Sequence, residues 1–373
     1  MSPTTSVKTY AGNCLTSTRS GRTRKGKNRN KLVDAFWGVF TKNQIGKNMK
    51  QADFKRRAGQ ASLSLVAALL LLPPESADAQ SKPSFVVPIF EVYHTDNLND
   101  ATTSTEVLNN GVLITVPDSD KPKSGTVYKG GVIWSNAFSS TLGGIPLSVS
   151  PFALTTHDSR NYARSNMIGG SLNATLLDTA ERKITGGITV VRVSPKLSTA
   201  KLDSSSINLT FVQTINPTQK VTFGVTSSHT NLINSNDFDS TNNTITGSFS
   251  KDFDLVKVRS DFAFTQRNSK TESLSGKDRS ISLKGEMPFG VQSLSDIYAK
   301  YSYTESSDNA ARPSLSTARD NISNSYEFGY AMPIPVTNFA KLSFYVKASD
   351  TNSNLAAFKS EKTTFGMKFV GSF

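Results

Sequence analysis

Cysteine is all but absent from the 373 residues. The one thiol, Cys14, lies in the first segment, so the chain after it can build neither a disulfide framework nor a cysteine-based metal site. Histidine is scarce too: His94, His157 and His229 stand far apart, and no Ser/His/Asp spacing, HExxH, paired carboxylates or glycine-rich phosphate loop accompanies them. The pairs Gly143-Gly144, Gly169-Gly170 and Gly186-Gly187 fall in strand or turn contexts, where they relieve curvature. No enzyme, cofactor or metal is expected. Long apolar runs are missing as well. The best one, Ala58 to Leu72, is interrupted by Gly59, Gln60, Ser62 and Ser64 and stopped by Pro73-Pro74, too short a run to span a bilayer as a helix. The last scarcity is acidic charge, which leaves a formal net charge of +13. Position along the chain explains it. Residues 1–79 hold 14 of the 42 Lys+Arg and 4 of the 29 Asp+Glu, so the rest carries 28 against 25 and is nearly neutral. That remainder has no Lys/Arg cluster interleaved with aromatics, which excludes nucleic acid as an expected partner.

The basic segment reads as a leader. Residues 1–48 are polar and basic, with Arg22-Thr-Arg-Lys-Gly-Lys-Asn-Arg29, and are expected to be disordered. From Met49 the pattern is a secretory signal peptide: Lys50, Lys55, Arg56 and Arg57, then the apolar run, then Ser76-Ala-Asp-Ala79. Met49 is therefore the expected start, with 1–48 an over-extended gene start, 49–79 the signal peptide and Ala79-Gln80 the cleavage site. Gln80 to Phe373 would be the exported body of 294 residues.

In that body no helical period is sustained over three turns, whereas period two recurs to the end. In 254–264, Val256, Val258, Phe262 and Phe264 alternate with Lys257, Arg259 and Asp261. Later segments split the same way: Ile281 and Leu283 against Lys284 and Glu286; Tyr326, Phe328 and Tyr330 against Glu327; Leu342, Phe344 and Val346 against Lys341 and Lys347. Tight links fall at 216–219, 251–254, 287–290 and 333–336, and long polar ones at 228–242, 267–278, 305–319 and 349–360. A soluble sandwich has no reason to sort its links this way; a membrane barrel does, with short turns on one side and long loops on the other. Strands are expected near 85–95, 126–138, 144–156, 166–177, 183–193, 206–215, 219–228, 243–251, 255–266, 279–286, 293–304, 323–332, 338–349 and 361–373. The reading is an all-β, antiparallel up-and-down transmembrane β-barrel of about 14 strands, with 12 or 16 as the alternatives because Pro88 and Pro151 each delete a ladder hydrogen bond. Segment 111–116 is an added strand candidate in the first long loop.

The chain closes on Lys362-Thr-Thr-Phe-Gly-Met-Lys-Phe-Val-Gly-Ser-Phe373, whose one face carries Phe365, Met367, Phe369 and Phe373. With Thr364, Gly366, Phe369 and Phe373 in place, the stretch resembles the C-terminal signal of Gram-negative outer-membrane β-barrel proteins, departing from it at Gly371. The resemblance implies a location in that membrane, lipid on the apolar face, an insertion machinery that reads the last strand, and periplasmic termini. Glu91-Val-Tyr-His-Thr-Asp-Asn-Leu98 is similar, over eight residues, to the first-strand end of β-barrel porin families found in exopolysaccharide systems. Aromatics Tyr301, Tyr303, Tyr326, Phe328, Phe369 and Phe373 would form interfacial girdles. The lumen would carry Lys257, Arg259, Lys284, Lys300, Lys341, Lys347 and Lys368 against Asp261, Glu286 and Glu327, a positive bias. Two readings follow: a passive channel or export conduit favouring anions or acidic sugars, or a non-conducting barrel whose long loops carry a structural or surface-binding role. An autotransporter fits less well, because no passenger precedes the first strand. The sequence names no solute.

Overall fold

The computed structural model describes residues 84–371, apart from 105, 110–111, 161–163, 196–200, 234, 290–294, 312–316 and 335–339. The leader, the signal peptide, Ala79-Gln80 and Phe373 lie outside the described residues. Within them the chain forms β1 (Phe85–Thr95), β2 (Glu106–Asn109), β3 (Val112–Thr115), β4 (Gly125–Ser135), β5 (Phe138–Leu142), β6 (Ile145–Asp158), β7 (Ser165–Asp178), β8 (Arg182–Pro195) and β9 (Leu202–Asn216). It continues with β10 (Gln219–Leu232), β11 (Ser235–Asp252), β12 (Lys257–Ser269), β13 (Gly276–Phe289), β14 (Ser295–Asp308), β15 (Asp320–Pro333), β16 (Lys341–Ser353) and β17 (Ser360–Val370).

From β6 to β17 each strand pairs antiparallel with the next, and β1 joins β17 to β4, which closes the sheet. β4 and β5 both pair with β6 and are one strand broken at Asn136, which sits at φ 49 with its N–H donating to Ser150 Oγ at 3.0 Å. Counted so, fourteen strands form a closed antiparallel barrel. The prolines did not lower that number: Pro88 opposes Val132 and Pro151 opposes Gly170 inside intact ladders. The candidate strand at 111–116 contributes to β3, which pairs only with β2 in a separate hairpin within the first link.

Period two decides the faces. Phe223, Val225, Ile245, Phe262, Ile281, Leu283, Phe328, Phe344 and Phe365 are all exposed on one side of the sheet, and among the described residues the buried hydrophobic ones are only Leu98, Val116, Val127, Ala340 and Leu355. The architecture is inverted with respect to a water-soluble protein: the apolar side chains form an outer band and no apolar core exists among the described residues. An apolar surface of that extent is stable only against lipid, and closure leaves no strand edge to be desolvated there. On the outer face, Tyr301 and Tyr326 meet with ring centroids 5.1 Å apart, and Phe289 meets Tyr330 edge-on at 6.2 Å, closer to the rim where β1 begins and β17 ends. That rim is called the terminal rim below, and the other the opposite rim.

At the opposite rim the links are shorter than the sequence suggests, because the strands run on. The stretch 228–242 becomes a hairpin with only 233–234 between β10 and β11, and 267–278, 305–319 and 349–360 shrink to 270–275, 309–319 and 354–359. Backbone ladders do not require an apolar side chain, so pairing continues after the outer face has turned polar, as at Ser227–Asn243 and His229–Thr241. Apolar periodicity reports the band and not the strand.

The first link also folds over the inner wall. Thr95, Val127, Asp158 and Thr364, which the register puts on the inner side of β1, β4, β6 and β17, are buried. Leu98 lies against Gly125, where a Cβ would meet its Cδ2 at 2.5 Å. Backbone bonds Asp96 N–H to Thr363 O and Thr103 N–H to Lys359 O, with Asn97 Nδ2 donating to Glu361 O, clamp residues 96–103 to the start of β17.

Candidate functional site

The inner face is organised by rows of directly paired residues. One row reads Lys220, Ser250, Arg259, Lys284, Lys300, Glu327, Lys347 and Thr364 across β10 to β17. Five of its eight positions are cationic and one is anionic. Strands in a closed barrel tilt by about 40° and lie about 4.8 Å apart, so a row perpendicular to them climbs. Over the six steps from Lys220 to Lys347 the rise is about 19 Å along the barrel axis. The row is a spiral, beginning beside the terminal rim at β10 and continuing through Thr364 to Thr95 at the opposite rim.

The next row toward the terminal rim reads Asp252, Lys257, Glu286, Tyr298, Gly329, Tyr345, Gly366 and Tyr93. Here the glycines have a steric reason. A Cβ on Gly329 would stand 2.3 Å from the Tyr298 ring, and one on Gly366 would stand 2.4 Å from the Tyr345 ring, so each tyrosine lies across the bare backbone of the following strand. The tyrosines in turn hold the acids: Tyr298 OH donates to Glu327 Oε1 at 2.9 Å and Tyr345 OH donates to Glu91 Oε1 at 2.7 Å. Lys284 and Lys129 stand over the rings of Tyr298 and Tyr93, at 4.7 and 4.9 Å from the centroids.

Among the seven inner-face cations read from the sequence, four are ion-paired. Lys257 reaches Asp252 at 3.7 Å, Arg259 reaches Asp261 at 2.8 Å, Lys341 reaches Asp296 at 3.4 Å, and Lys284 contacts Glu286. The other three, Lys300, Lys347 and Lys368, have no ion pair among the described residues. Glu327 stands between Lys300 and Lys347 in the row but takes its bond from Tyr298. Sequence reasoning missed Lys220, Glu91 and Lys129, the last two paired at 3.2 Å, and the tyrosines Tyr93, Tyr298 and Tyr345. Parity could have found Tyr298, two residues before Lys300, and Tyr345, two residues before Lys347; the others needed the cross-strand register.

The final strand places Thr364 on the inner side opposite Thr95, Gly366 beneath Tyr345, and Phe369 on the outer side between Phe90 and Leu342.

No protein-family model matches the chain, and no curated protein matches it in sequence. Solved structures do. An anion-selective porin from Comamonas acidovorans aligns at 10% identity over 78% of this chain and 99% of its own, with a TM-score of 0.43. OmpT, an outer membrane protein of Vibrio cholerae, aligns at 8% identity over 80% and 100%, TM-score 0.40, and OccAB3 of Acinetobacter baumannii at 11% over 78% and 99%, TM-score 0.39.

Proposed function

We propose that the protein is a passive channel of the Gram-negative outer membrane whose inner face favours anions. The observation that carries this is the spiral of cations from Lys220 to Lys347, together with Lys300, Lys347 and Lys368, which have no ion pair among the described residues. Paired charges on a wall largely cancel, whereas unpaired ones leave a field along the path a solute takes. A 14-strand barrel tilted by about 40° is about 28 Å across between backbones, wider than the barrels of about 8 strands that side chains fill. The outer band would meet lipid, the termini would lie in the periplasm, and β17 would be read by the insertion machinery, consistent with a secretory leader at 49–79. No catalytic role is proposed. The test is planar-bilayer recording of the refolded protein under a KCl gradient: reproducible steps with a chloride-favouring reversal potential are expected, and a potassium-favouring potential would contradict the reading.

One observation favours a second reading, a non-conducting barrel: residues 96–103 cover the inner wall at the opposite rim. Under that reading the protein gives no steps at high load, and deleting the link does not create them.

A further inference from the structure

Above Arg259 and Lys300 in the spiral, the next two rows carry only small residues and one acid. They read Thr222, Ser248, Asp261, Ser282 and Ser302, then Gly224, Thr246, Ala263, Ser280 and Thr304. Short side chains across β10 to β14 leave the wall thin there, and a recess of about 480 Å³ results, bounded on one side by Arg259 and Lys300. The volume lies in the range of small-molecule sites.

From this recess, and resting on the channel reading above, we propose a binding site for a carboxylated sugar. Charge sets the first requirement. Arg259 Nε donates to Asp261 Oδ1 at 2.8 Å, and Ser282 Oγ donates to its other oxygen at 3.3 Å, so that pair is internally satisfied. Lys300 is left without an ion pair among the described residues, giving the recess a net charge of one positive unit, which suits a carboxylate better than a doubly charged phosphate. Hydroxyls set the second. Serine and threonine each donate and accept, as sugar hydroxyls do, so Ser248, Ser280, Ser302 and Thr304 can exchange bonds with a polyol in several orientations. A site that only steers small ions has no use for this lining. A neutral sugar finds no partner for Lys300, and acetate leaves the hydroxyl rows unused. The two together select a monoanionic polyol and bind it loosely enough to release, as conduction requires.

The test is saturation-transfer NMR of the full folded barrel in detergent with sodium glucuronate, glucose and acetate, read beside the reversal potential of the same protein in bilayers. Glucuronate is expected to give a signal several-fold above either of the others. Lys300→Gln should abolish the excess, Lys300→Arg should retain it, and Ser302→Ala should reduce the glucuronate signal while leaving that of acetate. Equal signals for the three solutes, or a Lys300→Gln loss shared equally by glucuronate and acetate, would overturn the site and leave the anion-favouring channel standing. A potassium-favouring potential with the glucuronate excess intact would remove the channel reading and leave the site.

Discussion

Two halves of the inner wall are built on the same backbone and carry different chemistry. From β12 through β17 to β1 and β4, the inner positions hold lysine, arginine, glutamate, aspartate and tyrosine, many of them in contact with one another and three lysines without an ion pair among the described residues. From β7 to β11 they hold Ser171, Asn173, Thr189, Ser206, Asn208, Thr226 and Ser248, with charge confined to the terminal rim at Asp178, Lys183, Lys220 and Asp252. The ladders are equally continuous in both halves. Closing a barrel therefore does not require charge along the length of its inner face, and the density of charge in one half is surplus to folding. That surplus is where a function is to be sought.

The comparison predicts that the outer face ignores it. Phe262→Arg, behind the charged half, and Phe223→Arg, behind the hydroxyl half, should each cost about 2–4 kcal/mol near the bilayer midplane. Urea titration in lipid would measure this; a large difference between the two would mean that the halves are not mechanically equivalent. Smaller effects separate two glycines on the strands of the charged half, one under an inner tyrosine and one facing outward. Gly329→Ala should cost about 1–3 kcal/mol by pushing the Tyr298 ring off its seat, whereas Gly285→Ala, whose Cβ would meet nothing within 4 Å, should be neutral or slightly stabilising. Equal losses would show that the tyrosines are not seated on glycine. Smallest of all, Ser206→Ala in the hydroxyl half should shift stability by less than about 0.5 kcal/mol, and Lys129→Gln, which breaks a partly exposed pair with Glu91, by about 0–1 kcal/mol.

Much of this was legible from residue order alone. Strong contrast between Val258, Phe262, Phe264 and Lys257, Arg259, Asp261 gives a face and a register at once, and the strand count follows from repeating that step fourteen times. Legibility ended where the contrast did. The upper parts of β10 and β11, with Ser227, His229, Asn242 and Asn243, are polar on both faces and read as loop, although their backbones are paired. The break at Asn136 was invisible because Val132, Trp134 and Phe138 keep one parity across it, as a continuous strand would. The seating of Tyr298 on Gly329 and of Tyr345 on Gly366 depends on which residues oppose each other, a quantity that link geometry sets and composition does not. The inward fold of residues 96–103 rests on hydrogen bonds to β17, more than 250 residues away in the chain.

The central claim is that ions travel along the inner face and that its charged half sets their sign. Because the only cysteine, Cys14, precedes the barrel, single thiols can be placed at will. The direct measurement is the bilayer reversal potential of Lys300→Cys under a KCl gradient, before and after an anionic thiol reagent, with outward-facing Ile281→Cys as its counterpart. The account predicts a shift toward potassium at position 300 on modification and none at 281. A shift at 281 with none at 300 would contradict it.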